Sequence, residues 1–322
     1  CYIASSPRDA ENSMTFRFGG GSVRRYRLHA DAETFEWRPR RRTDGPVFRD
    51  MSWDFEEPDR YPELVAAEKP GMMASKGEKA MHAAVASGDP ESVLGVAGQH
   101  PKYQLVGKSI AGLLLMESAL DRAMSLLDEV VAESEDVGKD HFVRKYLPGA
   151  GLSIAVAAGI MVHLPLQRNS LILLLAELHQ ARGEEESAIA MLQAAEQTTH
   201  IRLSLTELLY ERDEFERVLQ VTQGVHNDDD VTALTLAYRG RALTELGKHD
   251  EAITVLARVL EYPNRAASIK AIALVGRGMI HQARGDNILA ENDFTQALME
   301  VPDDPEARQH IEELIHGRPP QA

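Results

Sequence analysis

Cysteine is almost absent from this sequence, because the 322 residues contain a single one, Cys1. An internal disulfide, a zinc site built from cysteines and thiol catalysis within the fold are therefore excluded. The sequence also lacks an apolar run of the roughly 20 residues that a membrane-spanning helix needs. The longest such run, 151–166, is too short and contains His163 and Pro165. A reducing compartment and a chain without a membrane span are expected.

The sequence also contains fewer positively charged residues than negatively charged ones. The chain has 35 Lys and Arg residues against 50 Asp and Glu, which gives a formal net charge of −15 and an isoelectric point near 5.3. Such a chain repels nucleic acid and anionic lipid surfaces on average, so no nucleic-acid partner is expected. Apolar residues make up 43% and charged residues 26%, which argues against wholesale disorder. The length suffices for two domains or for one elongated repeat array.

A secretory signal is missing from the amino terminus. Residues 1–13 carry three charged side chains instead of a basic start followed by an apolar stretch, so the bacterial cytoplasm is the expected location. Because the chain begins with Cys1, we expect a fragment or an upstream extension, with Met14 as a reasonable natural start. It stays open whether 1–13 is native sequence. A mature lipoprotein that carries lipid on Cys1 is the alternative.

The first 72 residues differ in composition from everything that follows. They contain six prolines, both tryptophans and three consecutive glycines at 19–21. The prolines argue against a long helix, and short alternating pieces at 25–28 and 35–37 predict a hairpin across 30–32. We expect a weakly structured amino-terminal arm that is partly disordered or forms a small β element. Its basic cluster is either solvated or docks on an acidic surface; the cluster consists of Arg38, Arg40, Arg41 and Arg42.

From about residue 73 onward, apolar residues at three- and four-residue spacing predict a series of helices. Gly285 is read as a turn between two helices, and small or aromatic residues lie at fixed distances from it: Gly278, Ala290, Phe294 and Ala297. The same distances counted from Gly247 find Gly240 and Ala252, and weaker copies surround Gly183 and Asp213. A small residue at a helix crossing lets the backbones approach, and a larger one fills the remaining gap.

This spacing resembles the tetratricopeptide repeat family, whose unit is about 34 residues long. The resemblance implies a mainly α fold, a right-handed α-solenoid of antiparallel helix pairs, with the repeat array at 169–304. The carboxyl-terminal half also looks like uncharacterised tetratricopeptide proteins of actinobacteria. The four turns are 30, 34 and 38 residues apart, so the array is irregular.

The rest of the chain is divided around this array. We expect degenerate helical hairpins of the same kind at 73–137 and an inserted hairpin or linker at 138–168. Within the insertion, two apolar pieces favour a β-hairpin at 151–166, and one buried helix ended by Pro165 is the alternative. At 305–322 we expect a capping helix and tail, in which the solvating side chains are Glu306, Arg308, Gln309, Glu312 and Glu313.

No catalytic residues, cofactor or metal site are expected. No two of the twelve histidines lie closer than six residues, so a helical metal pair and the His-Glu-x-x-His motif are missing. The sequence at 107–109 lacks the first glycine of a phosphate loop, and 151–155 holds half of a nucleophile elbow. The oxygen-rich stretch 226–230 is read as the cap of the following helix. A hydrolase with an unusual site is the enzymatic alternative.

The resemblance implies that the first helix of each pair lines a concave groove that binds a protein or peptide. The residues placed there are Glu177, Gln180, His200, Glu207, Tyr210, Arg241, Thr244, Met279 and Gln282. Where chaperone-tail binders of the family have a Lys and Asn clamp for a terminal carboxylate, this chain has Glu, Glu, Arg and Met. We therefore expect a guest with basic and apolar residues. The expected function is a non-catalytic scaffold, and the alternative is a regulator or sensor of a small peptide or metabolite.

Overall fold

The structure is a computed structural model, and it describes residues 13–18, 23–27, 52–56, 69–116, 118–157 and 160–316. The fold class expected from the sequence is confirmed, because the chain is mainly helical and its helices form antiparallel pairs with a small β insertion. Within the described residues, no helix combines the length and the apolar character needed to cross a membrane. The described helices fall into two compact units, one ending at Glu184 and the other beginning at Glu185.

The first unit contains six helices, and the first two begin at a side-chain cap. The Ser75 hydroxyl accepts the backbone N–H of Glu78, and the Asp89 carboxylate accepts the backbone N–H of Ser92 at 3.0 Å. Each helix packs on its neighbour in sequence from the first to the fourth, and the fourth also contacts the sixth. The helices are α1 (Lys76–Ser87), α2 (Pro90–Gln99), α3 (Gln104–Leu115), α4 (Leu120–Ala132), α5 (His141–Tyr146) and α6 (Arg168–Ala181).

A small sheet accompanies these helices. Its strands are β1 (Ser13–Phe18), β2 (Val23–Arg27), β3 (Ser52–Glu56), β4 (Ala150–Ala157) and β5 (Ile160–Pro165), in the order β2-β3-β1-β4-β5. The β-hairpin favoured for 151–166 is confirmed by β4 and β5. β1 pairs antiparallel with β4, with Phe18 opposite Ala150 and Thr15 opposite Ser153. Nothing in the sequence pattern predicted this pairing.

The β1 strand pairs antiparallel with β2 and parallel with β3. The turn predicted at 30–32 and the basic cluster Arg38, Arg40, Arg41 and Arg42 lie outside the described residues. Their predicted conformation and docking therefore stay predictions.

Side chains of α5 connect this helix to α1, the first helix of the unit. The Tyr146 side chain is buried against Phe142, with 4.9 Å between the ring centroids. The hydroxyl of Tyr146 donates to Glu78 Oε1 at 2.6 Å, and Lys145 Nζ donates to the same oxygen at 3.0 Å. These two bonds hold the pKa of Glu78 below its ordinary value. The contact joins α1 to α5 across 68 residues.

The second unit is a stack of short helices, and two of its pairs cross at glycine. A Cβ added to Gly240 would lie 2.4 Å from Leu256, and one added to Gly278 would lie 2.6 Å from the Phe294 ring. Both approaches are closer than any side chain tolerates, so glycine is required at each crossing. The helices are α7 (Glu185–Ala194), α8 (Thr199–Glu211), α9 (Phe215–Val221), α10 (Asp230–Glu245), α11 (His249–Leu260), α12 (Ala267–Ala283), α13 (Asn287–Glu300) and α14 (Pro305–His316).

Four turns between helices share one geometry. Gly183, Asp213, Gly247 and Gly285 all have a positive φ, between 58° and 80°. In each turn the next residue donates its N–H to the carbonyl oxygen five positions earlier, at 2.8 or 2.9 Å. This is the Schellman arrangement, which satisfies carbonyls at the end of a helix and needs a left-handed residue. The turn positions read from the sequence therefore coincide with a physical requirement of the backbone.

Gly247→Ala is expected to lower the free energy of unfolding by about 1 kcal/mol, because the φ of 69° is strained for any residue with a Cβ. Gly95→Ala is the matched control, since a Cβ has open space at both positions and Gly95 lies inside α2. The control should be stabilising, by up to about 1 kcal/mol. Urea unfolding of the three chains measures the difference. Equal effects of the two substitutions would contradict the assigned turn geometry.

Gly278→Leu is expected to destabilise the second unit by about 1–3 kcal/mol, because the new side chain would overlap the Phe294 ring. Gly98→Leu serves as the control, since Gly98 is exposed near the end of α2 and meets no atom within 4 Å. Chemical denaturation followed by circular dichroism gives both values. An unchanged midpoint for Gly278→Leu would show that the α12–α13 crossing is wrong.

Candidate protein-interaction surface

Two of the predicted groove residues lie in the first unit, on α6. Glu177 is buried, with 6% of its surface exposed, and Gln180 is half-buried one turn later. Both side chains already interact within the protein. These residues belong to a different compact unit from the other seven.

The other seven predicted groove residues lie in the second unit, on α8, α10 and α12. Two of them, Glu207 and Arg241, are buried, with exposed fractions of 2% and 6%. An open groove lined by these two charged side chains is therefore not what the structure shows. The remaining five are half-buried, and a role for them in partner binding stays a prediction; they are His200, Tyr210, Thr244, Met279 and Gln282.

The buried groove residues belong to a series of contacts that crosses the second unit. We call this series the polar line; it consists of Glu207, Tyr238, Tyr210, Arg241 and Glu306. The hydroxyl of Tyr238, on α10, donates to Glu207 Oε1 on α8 at 2.9 Å. The Tyr210 ring lies 5.4 Å from the Tyr238 ring, and the Arg241 guanidinium lies over Tyr210 at 5.7 Å from its centroid. A cation over an aromatic face is stabilised by the negative face of the ring. The polar line thus joins α8 to α10 through direct side-chain contacts.

The line continues from α10 to the last helix through a buried ion pair. Both terminal nitrogens of Arg241 donate to the carboxylate of Glu306, on α14, with Nη1 to Oε2 at 3.0 Å. The two side chains are only 8% and 12% exposed. Burial alone would lower the pKa of Arg241, but Glu306, Tyr210 and Glu245 together raise that pKa above its ordinary value. The arginine therefore keeps its charge inside the protein.

A glycine of α12 leaves the space that this ion pair needs. A Cβ added to Gly276 would lie 2.8 Å from Cδ of Arg241, so the arginine stem passes directly over the glycine. Any larger residue would push the guanidinium away from Glu306. Gly276 is therefore required by packing, not by an unusual φ angle.

The expected solvating role of Glu306 is corrected by this arrangement. The cap helix exists as α14, and Arg308, Gln309, Glu312 and Glu313 are exposed as expected. Glu306 is instead turned inward to Arg241, 65 residues earlier in the chain. A glutamate in the first turn of a terminal helix ordinarily faces water, and nothing local in the sequence distinguishes this one.

The oxygen-rich stretch before α10 caps that helix, as the sequence analysis predicted. The Asp229 side chain accepts the backbone N–H of Thr232 at 2.8 Å, and the Thr232 hydroxyl accepts the N–H of Asp229 at 2.9 Å. Nearby, burial lowers the pKa of His200, and Asp229 partly opposes this shift. Among the described residues, no group of three or more His, Asp or Glu side chains is placed to hold a metal ion.

The first unit contains an open cavity of about 310 Å³ at the base of the β4–β5 hairpin. Its lining combines the apolar side chains of Val143 and Leu147 with two basic residues, Lys139 and Arg144, and one acidic residue, Asp136. Both basic side chains belong to exposed residues.

Residues 106–313, nearly two thirds of the chain, match the family model described as the N-terminal domain of EccA1, a protein of the ESX-1 type VII secretion system (T7SS). The chain belongs to this family. The matched range begins in α3 and ends in α14, so it contains both Arg241 and Glu306. A comparison with curated proteins found no match.

The EccA1 N-terminal family replaces the family that the sequence spacing suggested. The assignment to the tetratricopeptide repeat family, and to actinobacterial tetratricopeptide proteins, is wrong, because the matching family model is that of the EccA1 N-terminal domain. The features that suggested it were small residues at helix crossings and glycines at left-handed turns. Any stack of short helix pairs needs both, so they identify an architecture and not a family.

Nothing in the sequence analysis pointed to Tyr238 or Gly276, and Glu306 was assigned the wrong role. A signal for one of them was present, since Gly276 lies in the interior of a helix only two residues before the crossing glycine Gly278. A helical glycine away from a crossing indicates that another group approaches the backbone closely. The group that approaches, Arg241, was not deducible from spacing.

Tyr238→Phe is expected to destabilise the second unit by about 1.5–3 kcal/mol, because it removes a hydrogen bond to a buried carboxylate and keeps the ring. Tyr262→Phe is the control, since Tyr262 is 51% exposed and its side chain contacts Arg265 through the face of the ring, which phenylalanine keeps. The control should change stability by less than about 0.5 kcal/mol. Guanidinium unfolding of both variants tests the difference. If the Tyr238→Phe chain is as stable as the control, the hydrogen bond between Tyr238 and Glu207 does not contribute to stability.

Proposed function

We propose that this chain is a non-catalytic scaffold that binds a protein or peptide segment of a type VII secretion system. The observation that carries the proposal is the family match, which covers the helical stack of the second unit. Binding on such a scaffold involves no covalent step: rigid helix pairs present side chains to a partner, and complementarity of surface provides the affinity. The proposal places the chain in the bacterial cytoplasm.

The structure offers a rigid platform for this role. The second unit buries many apolar side chains, and the polar line from Glu207 to Glu306 joins three of its helices, α8, α10 and α14. A site on regular helices positions contact residues better than a loop does. The half-buried residues of the predicted groove are mixed in character, which suits a segment with apolar and polar residues.

A second candidate function is a regulator that responds to a small ligand. The observation that favours it is the cavity in the first unit, where Lys139 and Arg144 flank an apolar lining. A peptide or metabolite with an anionic group fits that chemistry. A thermal-shift screen of small anionic compounds would support this candidate if the unfolding temperature rises and Lys139→Ala abolishes the rise.

The scaffold proposal is tested by affinity capture from a lysate of cells that produce a type VII secretion system. The bait is the full chain, compared with a Thr244→Arg, Gln282→Arg double variant that changes the predicted groove. We expect a secretion-system protein to be retained by the unchanged chain and reduced at least ten-fold by the variant. The Thr244 hydroxyl bonds only to a carbonyl of its own helix, so the substitution leaves the polar line intact.

A matched control places the same charges on the second helices of the pairs. Thr254→Arg, Gln296→Arg changes two exposed residues, on α11 and α13. This variant should capture the partner as well as the unchanged chain does. Equal loss in both double variants would contradict the assigned surface, and capture of no secretion-system protein by the unchanged chain would contradict the scaffold proposal.

A further inference from the structure

Three apolar side chains are exposed together on the last two helices of the second unit. Ile288 and Leu289, in the first turn of α13, are 83% and 50% exposed, and Ile315, near the end of α14, is 54% exposed. The Phe294 ring stacks on His310, with 4.9 Å between the centroids. Because the two helices are antiparallel, the residue five positions before Phe294 lies beside the residue five positions after His310. Leu289 and Ile315 are therefore neighbours, and we call Ile288, Leu289 and Ile315 the end patch.

The first position of the end patch is acidic in the earlier helix pairs. The residues three positions after the preceding left-handed turn residues are Glu186, Glu216 and Asp250. A carboxylate there favours the positive end of its helix. Two of these carboxylates also pair with the arginine that precedes the next turn, as Asp250 does with Arg284. Ile288 takes this place in the last pair and makes neither interaction, so the stability of the helix does not account for it.

The position of Ile288 continues an interface that the stack already uses. In the earlier pairs, the arginine that reaches this position belongs to the turn of the next pair. The described residues contain no turn after α14 that would face Ile288. The end patch thus lies where another contact of the same series would form, and an apolar residue has replaced the acidic one.

The charges around the end patch restrict what can cover it. Asp286 directly precedes α13, and Glu312 lies one turn before Ile315 on α14. Both residues are exposed, and neither carboxylate pairs with another described residue. A second copy of this chain, whose net charge is −15, would bring the same carboxylates together. Nucleic acid and anionic lipid are repelled for the same reason.

We propose that the end patch binds a protein segment in which apolar side chains are flanked by lysine or arginine. The apolar side chains contact Ile288, Leu289 and Ile315, and the basic ones pair with Asp286 and Glu312. Exposed apolar side chains bordered by polar residues are typical of interaction sites. The inference rests on the proposed scaffold function and adds a contact surface outside the predicted groove.

The arrangement suits recognition of such a segment. All three apolar residues lie on regular helices that are packed together by a buried cluster, which includes Ala290, Phe294 and Leu314. Their positions are therefore set before binding, which lowers the entropy lost on association. The carboxylates supply selection by charge, since they attract a basic segment and disfavour an acidic one.

The test measures binding of a labelled synthetic peptide to the full chain by fluorescence anisotropy. The probe repeats the heptad Leu-Lys-Lys-Leu-Leu-Lys-Leu twice, and an ionic strength of about 0.3 M screens general attraction to the acidic protein. We expect Ile288→Ser, Ile315→Ser to weaken binding at least ten-fold. Met73→Ser, Met299→Ser is the matched control, because these methionines are 98% and 76% exposed outside the end patch. The control should bind as the unchanged chain does.

A second pair of variants tests the carboxylates. Asp286→Asn, Glu312→Gln should weaken binding at least three-fold, because it removes both charges beside the end patch. Glu251→Gln, Glu261→Gln is the matched control, since it removes the same charge from two exposed residues near α11. We expect this control to bind as the unchanged chain does, and a peptide with glutamate in place of lysine to show no binding.

Three results would overturn the proposal. The first is equal binding by the two serine variants, which would show that the apolar side chains take no part. The second is equal loss in both charge variants, because attraction would then be general. The third is a concentration-dependent dimer of the unchanged chain that Ile288→Ser, Ile315→Ser abolishes, since a second copy would then cover the end patch. Circular dichroism of each variant confirms that the fold is retained.

The end-patch proposal and the scaffold proposal fail in different experiments. Capture of a secretion-system protein depends on Thr244 and Gln282, whereas peptide binding depends on Ile288 and Ile315. Capture without peptide binding would overturn the end patch and leave the scaffold function intact. Peptide binding without capture would contradict the scaffold function in a type VII secretion system.

Discussion

Arg241 must keep its charge inside the second unit, and the arrangement of four helices depends on this requirement. An unpaired guanidinium in a protein interior is unfavourable by several kcal/mol, so its neighbours must compensate. Glu306 supplies the opposite charge, the Tyr210 ring supplies a polarisable face, and Gly276 supplies the space. Each of these residues comes from a different helix. The position of one cation thus determines how α8, α10, α12 and α14 are related.

Local interactions determine the helix pairs of the second unit, and long-range interactions connect those pairs to one another. The helix pairs form from neighbouring residues, through glycines at the crossings and left-handed residues at the turns. Such pairs are similar to one another, so packing alone permits several ways of stacking them. The polar line adds specific long-range contacts, because Tyr238 donates to Glu207 and Arg241 donates to Glu306. Apolar burial provides stability, and the buried polar groups provide uniqueness.

The sequence predicted what depends on short spacing. Helical periodicity, the turns at Gly183, Asp213, Gly247 and Gly285, and the β4–β5 hairpin were all deducible, since each needs particular residues within a few positions. The burial of Glu207 and Arg241 was not, because their partners are 31 and 65 residues away. The family was misassigned for a related reason. Crossing glycines report the geometry of a helix pair, and many families share that geometry.

The pairing of β1 with β4 has a consequence for how the first unit is made. Arg17 and Gly151 lie opposite each other although most of the first unit separates them in sequence. At a synthesis rate of roughly 5–20 residues per second, β1 leaves the ribosome on the order of ten seconds before β4 exists. An unpaired strand edge is a template for pairing with other chains during that interval. The helices α1 to α5 are synthesised before β4, so the β1–β4 pair can form only after all five of them have been made.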